Sequence, residues 1–137
     1  MKQVVRPGLL SLLAVLSMAA MSRPAQAATA SLSDFVIGHS IGEAISVTLT
    51  SASSFWKHVD FHCNGPGTET RTISRDLGPF YGPGTFGYPG LNDPAVQWDN
   101  LPSGTYDLYA IASGSDTSTL PWTTWYASTG EKWVTIP

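Results

Sequence analysis

Three stretches carry residues whose types and spacing could do chemistry. The first is "GHSIG", residues 38–42, which fits G-x-S-x-G with Ser40 as the nucleophile. That pattern works where a strand turns sharply into a helix and lifts the serine hydroxyl clear of the backbone. Here "EAISVTLTS" follows, alternating like a strand, and the only later histidines, His58 and His62, come close behind. A plain turn between two strands is expected, with no catalytic residue and no enzymatic activity.

The second is "HVDFH", which places His58, Asp60 and His62 on one face of a strand. Imidazole and carboxylate are sound zinc or copper ligands. Residues four apart on a strand, however, are separated by about 13 Å. Two imidazoles so placed hardly meet one ion at about 2.1 Å. A solvated polar face with a His–Asp hydrogen bond is the expectation, and neither a metal nor another cofactor is assigned.

The third feature is a concentration of rings in two places. "GPFYGPGTFGYPG", residues 78–90, holds five Gly, three Pro and the rings of Phe80, Tyr81, Phe86 and Tyr88. No strand is expected from Arg75 to Asp93, a loop of nineteen residues; loops this long are usually functional or disordered. Its ring content argues against disorder and for a compact loop folded on its own side chains. Gly78-Pro79, Gly82-Pro83 and Tyr88-Pro89 are its candidates for cis peptides. The other concentration is "PWTTWYASTGEKWVTI". A hairpin turn centred on Thr129-Gly130 would set Tyr126 opposite Trp133 and Trp125 opposite Val134. Trp125, Ala127, Val134 and Ile136 then face a core, and Trp122, Tyr126 and Trp133 face away.

The elements that position these groups follow from the rest of the chain. Residues 1–27 read as an export signal: Lys2 and Arg6, an apolar run, and "AQA" at the expected cleavage point. That leaves 28–137 as one small domain, secreted or periplasmic, with no later run long enough to insert in a membrane. Four basic residues stand against ten acidic ones there, a formal charge of −6. Such a balance speaks against nucleic acid as a partner. Cys63 is the only cysteine, so no intramolecular disulfide can form, and a buried thiol is expected.

Period-two alternation recurs along the domain. In "AISVTLTS" Ile45, Val47 and Leu49 share a face; in "FWKHVDFHC" Phe55, Val59, Phe61 and Cys63 do. "TETRTIS" reads as a polar edge strand, and "AVQWDNL" and "GTYDLYAIAS" as two more. Seven or eight short strands between Gly, Pro, Ser and Asn clusters predict an all-β antiparallel sandwich. "LPSGTYDLYAIA", residues 101–112, resembles the penultimate strand of immunoglobulin-like and fibronectin type III-like sandwiches. The resemblance implies that Tyr106 is a corner tyrosine with its hydroxyl bonded to nearby backbone; it implies no function.

The expectation is therefore a non-catalytic binding module, monomeric or weakly oligomeric. Its leading partner is a protein, met through the rings of 78–90. The alternatives are a glycan stacked on Trp122, Tyr126 and Trp133, and a structural role in an envelope or surface assembly through an open edge at "TETRTIS".

Overall fold

The computed structural model describes residues 27–66 and 70–137. The export signal expected at 1–27 lies, but for Ala27, outside the described residues, as do Thr68 and Glu69 of the edge strand. Nine strands succeed one another: β1 (Ala28–Ile37), β2 (Ser40–Leu49), β3 (Ser54–Asn64), β4 (Thr70–Tyr81), β5 (Gly84–Tyr88), β6 (Val96–Trp98), β7 (Gly104–Asp116), β8 (Thr123–Ser128) and β9 (Lys132–Ile136). They form two antiparallel sheets. In one, β2 pairs β1 on one side and β5 and β6, end to end, on the other. In the other the order is β4-β3-β7, with β8 and β9 end to end along the far side of β7. The protein is an all-β sandwich.

Alternation builds the layer between the sheets. Ile41, Ile45, Val47 and Leu49 of β2 face Val59, Phe61 and Cys63 of β3 and Leu108, Ala110 and Ala112 of β7, all buried. Branched and aromatic side chains suit such a half-buried pleat, where each fits against its cross-strand neighbours. At the entry to β7 the Tyr106 hydroxyl donates to the Pro102 carbonyl at 2.7 Å, the corner bond expected of it. Gly38 holds φ +58° in the two-residue turn between Ile37 and Ser40, so "GHSIG" is a strand–turn–strand. Ser40 starts β2 and donates to Asp99, while the His39 ring donates to the Leu101 carbonyl.

Three expectations need correction. The long loop at 75–93 does not exist as such: β4 runs to Tyr81 and β5 starts at Gly84. Proline misled the reading, yet Pro79 lies in an edge strand, where a missing N–H costs no ladder bond. Gly82-Pro83 and Tyr88-Pro89 are cis, as is Leu120-Pro121. Nor do β8 and β9 form a hairpin. Both pair with β7 at registers differing by one residue, so they are one interrupted strand, and Gly130 at φ +76° absorbs the offset. Trp125, Ala127, Val134 and Ile136 are nonetheless buried, because the inward phase survives the interruption. Finally, in β3 it is Trp56 that is buried, while Phe55 lies on the outer face.

Candidate functional site

The phase change in β3 makes the site. Trp56 pairs Phe80 and His58 pairs Asp76, so between those rungs β3 spends one residue, Lys57, against three in β4, Leu77 to Pro79. On its other side β3 pairs Trp56 with Gly114 and His58 with Ser113, with no residue left over in β7. A bulge of this kind re-aims side chains: inward Trp56 is followed two residues later by outward His58. The strand opened at Leu77–Pro79 and the sheet beside it enclose a groove of about 570 Å³ on the outer face. Lys57, His58, Asp76, Leu77 and Pro79 line one side; Ser113, Thr124 and Tyr126 line the other, with Phe55 at the end.

Exposed rings rim this groove. Phe55 is half-buried and lies 5.4 Å from the Tyr81 ring and 6.3 Å, edge to face, from Trp122. Tyr81, Trp122 and Tyr126 are 63%, 60% and 70% exposed. Trp122 and Tyr126 thus face away from the core as their phase predicts. Trp133 is also exposed, at 65%, but its partner on β7 is Asp107, six residues from Ser113, the partner of Tyr126. At about 3.3 Å per residue it lies about 20 Å from the groove.

The rings of 78–90 divide differently. Tyr88 is buried, 6.3 Å from Phe61, and Phe80 stacks between Trp56 and Phe86 at 5.5 and 5.3 Å. Tyr81 alone of the four reaches the outer face. The four rings therefore form no single surface loop: three pack inward, and Tyr81 joins the outer face of the β4-β3-β7-β8 sheet.

In the groove wall the His58 ring is held from both sides. Nδ1 donates to Asp76 at 2.7 Å and Nε2 to Asp60 at 2.9 Å, and Ser74 also donates to Asp60. Two donated bonds require the protonated ring. The Asp76 bond is the chief cause raising the His58 pKa; burial opposes it and Asp60 adds to it. For Asp60, burial acts against ionisation, but the bonds from Ser74 and His58 outweigh it and lower its pKa. While the ring is protonated, both of its nitrogens are committed to carboxylates and neither is free to accept from the nearby Ser113. His62 instead stacks on Tyr109, ring centroids 4.5 Å apart. Among the described residues no group of three or more His, Cys, Asp or Glu is placed to hold a metal ion.

Cys63 and Glu43 are among the groups that lie inside. Cys63 is buried, and burial with the neighbouring charge of Glu43 pushes its thiol up to about 11. It is thus protonated and unreactive at neutral pH. Glu43 stands on the inner face of β2, accepts from the Trp98 indole and faces Asp34 across the ladder. Burial raises its pKa to about 7, against the indole bond and with the help of Asp34. Asp34 in turn pairs with Lys132 at the start of β9, tying the two sheets together.

The sequence singles out Tyr81, Trp122 and Tyr126 but gives no reason to join them with Phe55, Lys57, Asp76, Leu77, Pro79 and Ser113. The signal for the bulge was present: Trp56 and Val59, three apart, both want the core, which no regular strand permits.

No family model matches the chain, and no curated protein does. A solution structure described as that of a candidate late embryogenesis abundant (LEA) protein is similar at 12% identity and TM-score 0.49, covering 96% of this chain and 86% of that one. A likeness that loose carries no argument about function.

Proposed function

We propose that the protein is an exported, non-catalytic binding module of immunoglobulin-like or fibronectin type III-like build. It seats a carbohydrate chain on the outer face of the β4-β3-β7-β8 sheet. The single observation that carries this reading is the exposure of Tyr81, Trp122 and Tyr126 on one face, Tyr126 lining a largely apolar groove edged with polar groups and the other two packed on Phe55 at its end. Burying one large ring removes 150–250 Å² from water, about 4–6 kcal/mol gross at about 25 cal/mol per Å². Three rings forgo that gain in the free protein and recover it against a ligand. A sugar suits them because its C–H face is apolar and its rim carries hydroxyls. Asp76 accepts from hydroxyls, Lys57 donates to them, and Ser113 and Thr124 do either. Phe55 braces Tyr81 and Trp122, which lowers the entropy lost when they are fixed. The immunoglobulin-like part of the reading is supported by the Tyr106 corner and by β1 and β2 lying opposite β3 and β7.

The test is retention of the protein on insoluble glucan, chitin and peptidoglycan, with Trp122→Ala and Tyr126→Ala alongside. Retention of the parent and release of both variants is expected. No retention on any of the three, or equal retention of the variants, overturns the reading.

A further inference from the structure

The groove occupies one end of the outer face; the other end has a ring of its own. Trp133 of β9 stands 65% exposed, and the same cross-strand row continues through Asp107 of β7 to Asn64 of β3. Asp107 is 7% exposed, and among the described residues nothing donates to its Oδ1 or to Oδ1 of Asn64. An enclosed carboxylate oxygen with nothing donating to it is rare in folded proteins and calls for an explanation. In the adjacent row the stacked pair His62 and Tyr109 continues the aromatic surface toward the groove.

We propose that Trp133, Asp107 and Asn64 form a second carbohydrate subsite, so that the ligand is a long linear polysaccharide running along the face. This rests on the carbohydrate reading of the groove. The chemistry of the two ends is complementary to one repeating ligand. At each end a ring offers a stacking platform; beside Trp133 stand two acceptors without donors, and at the groove Asp76, Ser113 and Thr124 offer oxygens to hydroxyls. The indole and the two acceptors share one row, and because both acceptor atoms are enclosed, side chains of that row must shift as a sugar stacks on Trp133 to admit a hydroxyl to Asp107. Between the ends lie about 20 Å of strand surface carrying Asp60, Ser74, His62, Tyr109 and Ile111, with no second layer over it among the described residues. A single sugar or chain end cannot touch both platforms. A linear chain does, and its second contact is then intramolecular, which raises overall affinity without any new kind of bond.

The experiment compares a soluble polymer with its two-sugar fragment, using glycol chitin and mixed-linkage β-glucan, by titration calorimetry on the full protein. Trp133→Ala, Trp133→Phe and Trp122→Ala are measured beside the parent, with urea midpoints confirming that each folds. Trp133→Ala should weaken polymer binding by about 10²-fold and leave the groove's binding of the fragment unchanged, and Trp133→Phe should restore much of the loss. Full polymer affinity in Trp133→Ala overturns the second subsite while the groove stands. Absence of binding to either polymer by the parent overturns the carbohydrate reading and the subsite with it.

Discussion

Segments 80–88 and 122–133 are built from the same kinds of ring, yet the protein treats them in opposite ways. Phe80, Phe86 and Tyr88 turn inward onto Trp56 and Phe61, leaving Tyr81 outside. Trp122, Tyr126 and Trp133 turn outward, leaving Trp125 inside. Composition does not separate the two cases. Position in the sandwich does: β4 and β5 cross from one sheet to the other, and the inner phases of both point into the shared layer. β8 and β9 lie along one edge of β7, and their outer phase meets no third layer. Inside, a ring holds the fold; outside, a ring is free to hold something else. Carboxylates divide in the same way, Glu43 within and Asp60 and Asp76 without.

The sharpest way to break this contrast is to remove one ring from each segment. Tyr88→Ala deletes a buried ring and should cost about 3–5 kcal/mol of stability. Trp122→Ala deletes a larger one and should change stability by no more than about 0.5 kcal/mol. Urea unfolding followed by far-UV circular dichroism measures both. Comparable losses in the two variants would mean that the outer rings are structural after all.

How much of this was legible in the residues depends on strand phase. The alternation of Ile45, Val47 and Leu49 could be read from local period, and the corner at Tyr106 from the resemblance of 101–112; the outward phase of Trp122, Tyr126 and Trp133 came out right although the hairpin it was drawn from does not form. The buried Cys63 followed from the alternation of Val59, Phe61 and Cys63 along β3. The rest lay in pairing. Nothing local in Ala127 to Lys132 distinguishes a hairpin turn from a one-residue interruption of a strand held along β7. Pro79 and Pro83 look like breakers until β4 is known to be an edge. The bulge at Lys57, which exchanged Phe55 and Trp56 and opened the groove, is the joint outcome of both neighbours of β3. A groove assembled across four strands has no motif: β3 with β4 and β7 with β8 are consecutive, but what brings the two pairs together is the pairing of β3 with β7, about fifty residues apart.

The inner carboxylate gives the next largest effect. The Glu43 pKa rises from 4.5 to about 7 on folding. The folded protein thus holds a proton that the unfolded chain releases, and stability falls as pH rises between those values. The contribution is fully present below about pH 4.5 and lost through pH 7, about 3 kcal/mol in all at about 1.4 kcal/mol per unit. Glu43→Gln keeps the shape and an acceptor for Trp98 while removing the titration. Its stability, measured by urea unfolding from pH 4.5 to 8, should lack this decline and exceed the parent's at pH 8. Parallel profiles would show that Glu43 is solvated in the folded protein and does not belong with the inner groups.

The outer carboxylates should matter least to stability and most to the groove. His58 has its pKa raised chiefly by Asp76, so its contribution is present below the unfolded value near 6.5 and lost as pH rises through the folded one. Asp76 is exposed, so water and salt screen the pair, and Asp76→Asn should cost no more than about 1 kcal/mol. The same substitution should lower the His58 pKa, read from its ring proton shifts by NMR, because the bond that raises it most is weakened. Above that pKa the neutral ring donates to only one of its two carboxylates, and the other, freed, repels its neighbour across the groove wall. Ligand retention should therefore weaken as pH rises through the His58 transition, and in Asp76→Asn that weakening should shift to lower pH or vanish. If retention is flat across the transition while the NMR titration moves as expected, the His58 clamp only ties β3 to β4. The exposed rings alone would then define the outer face as a binding surface.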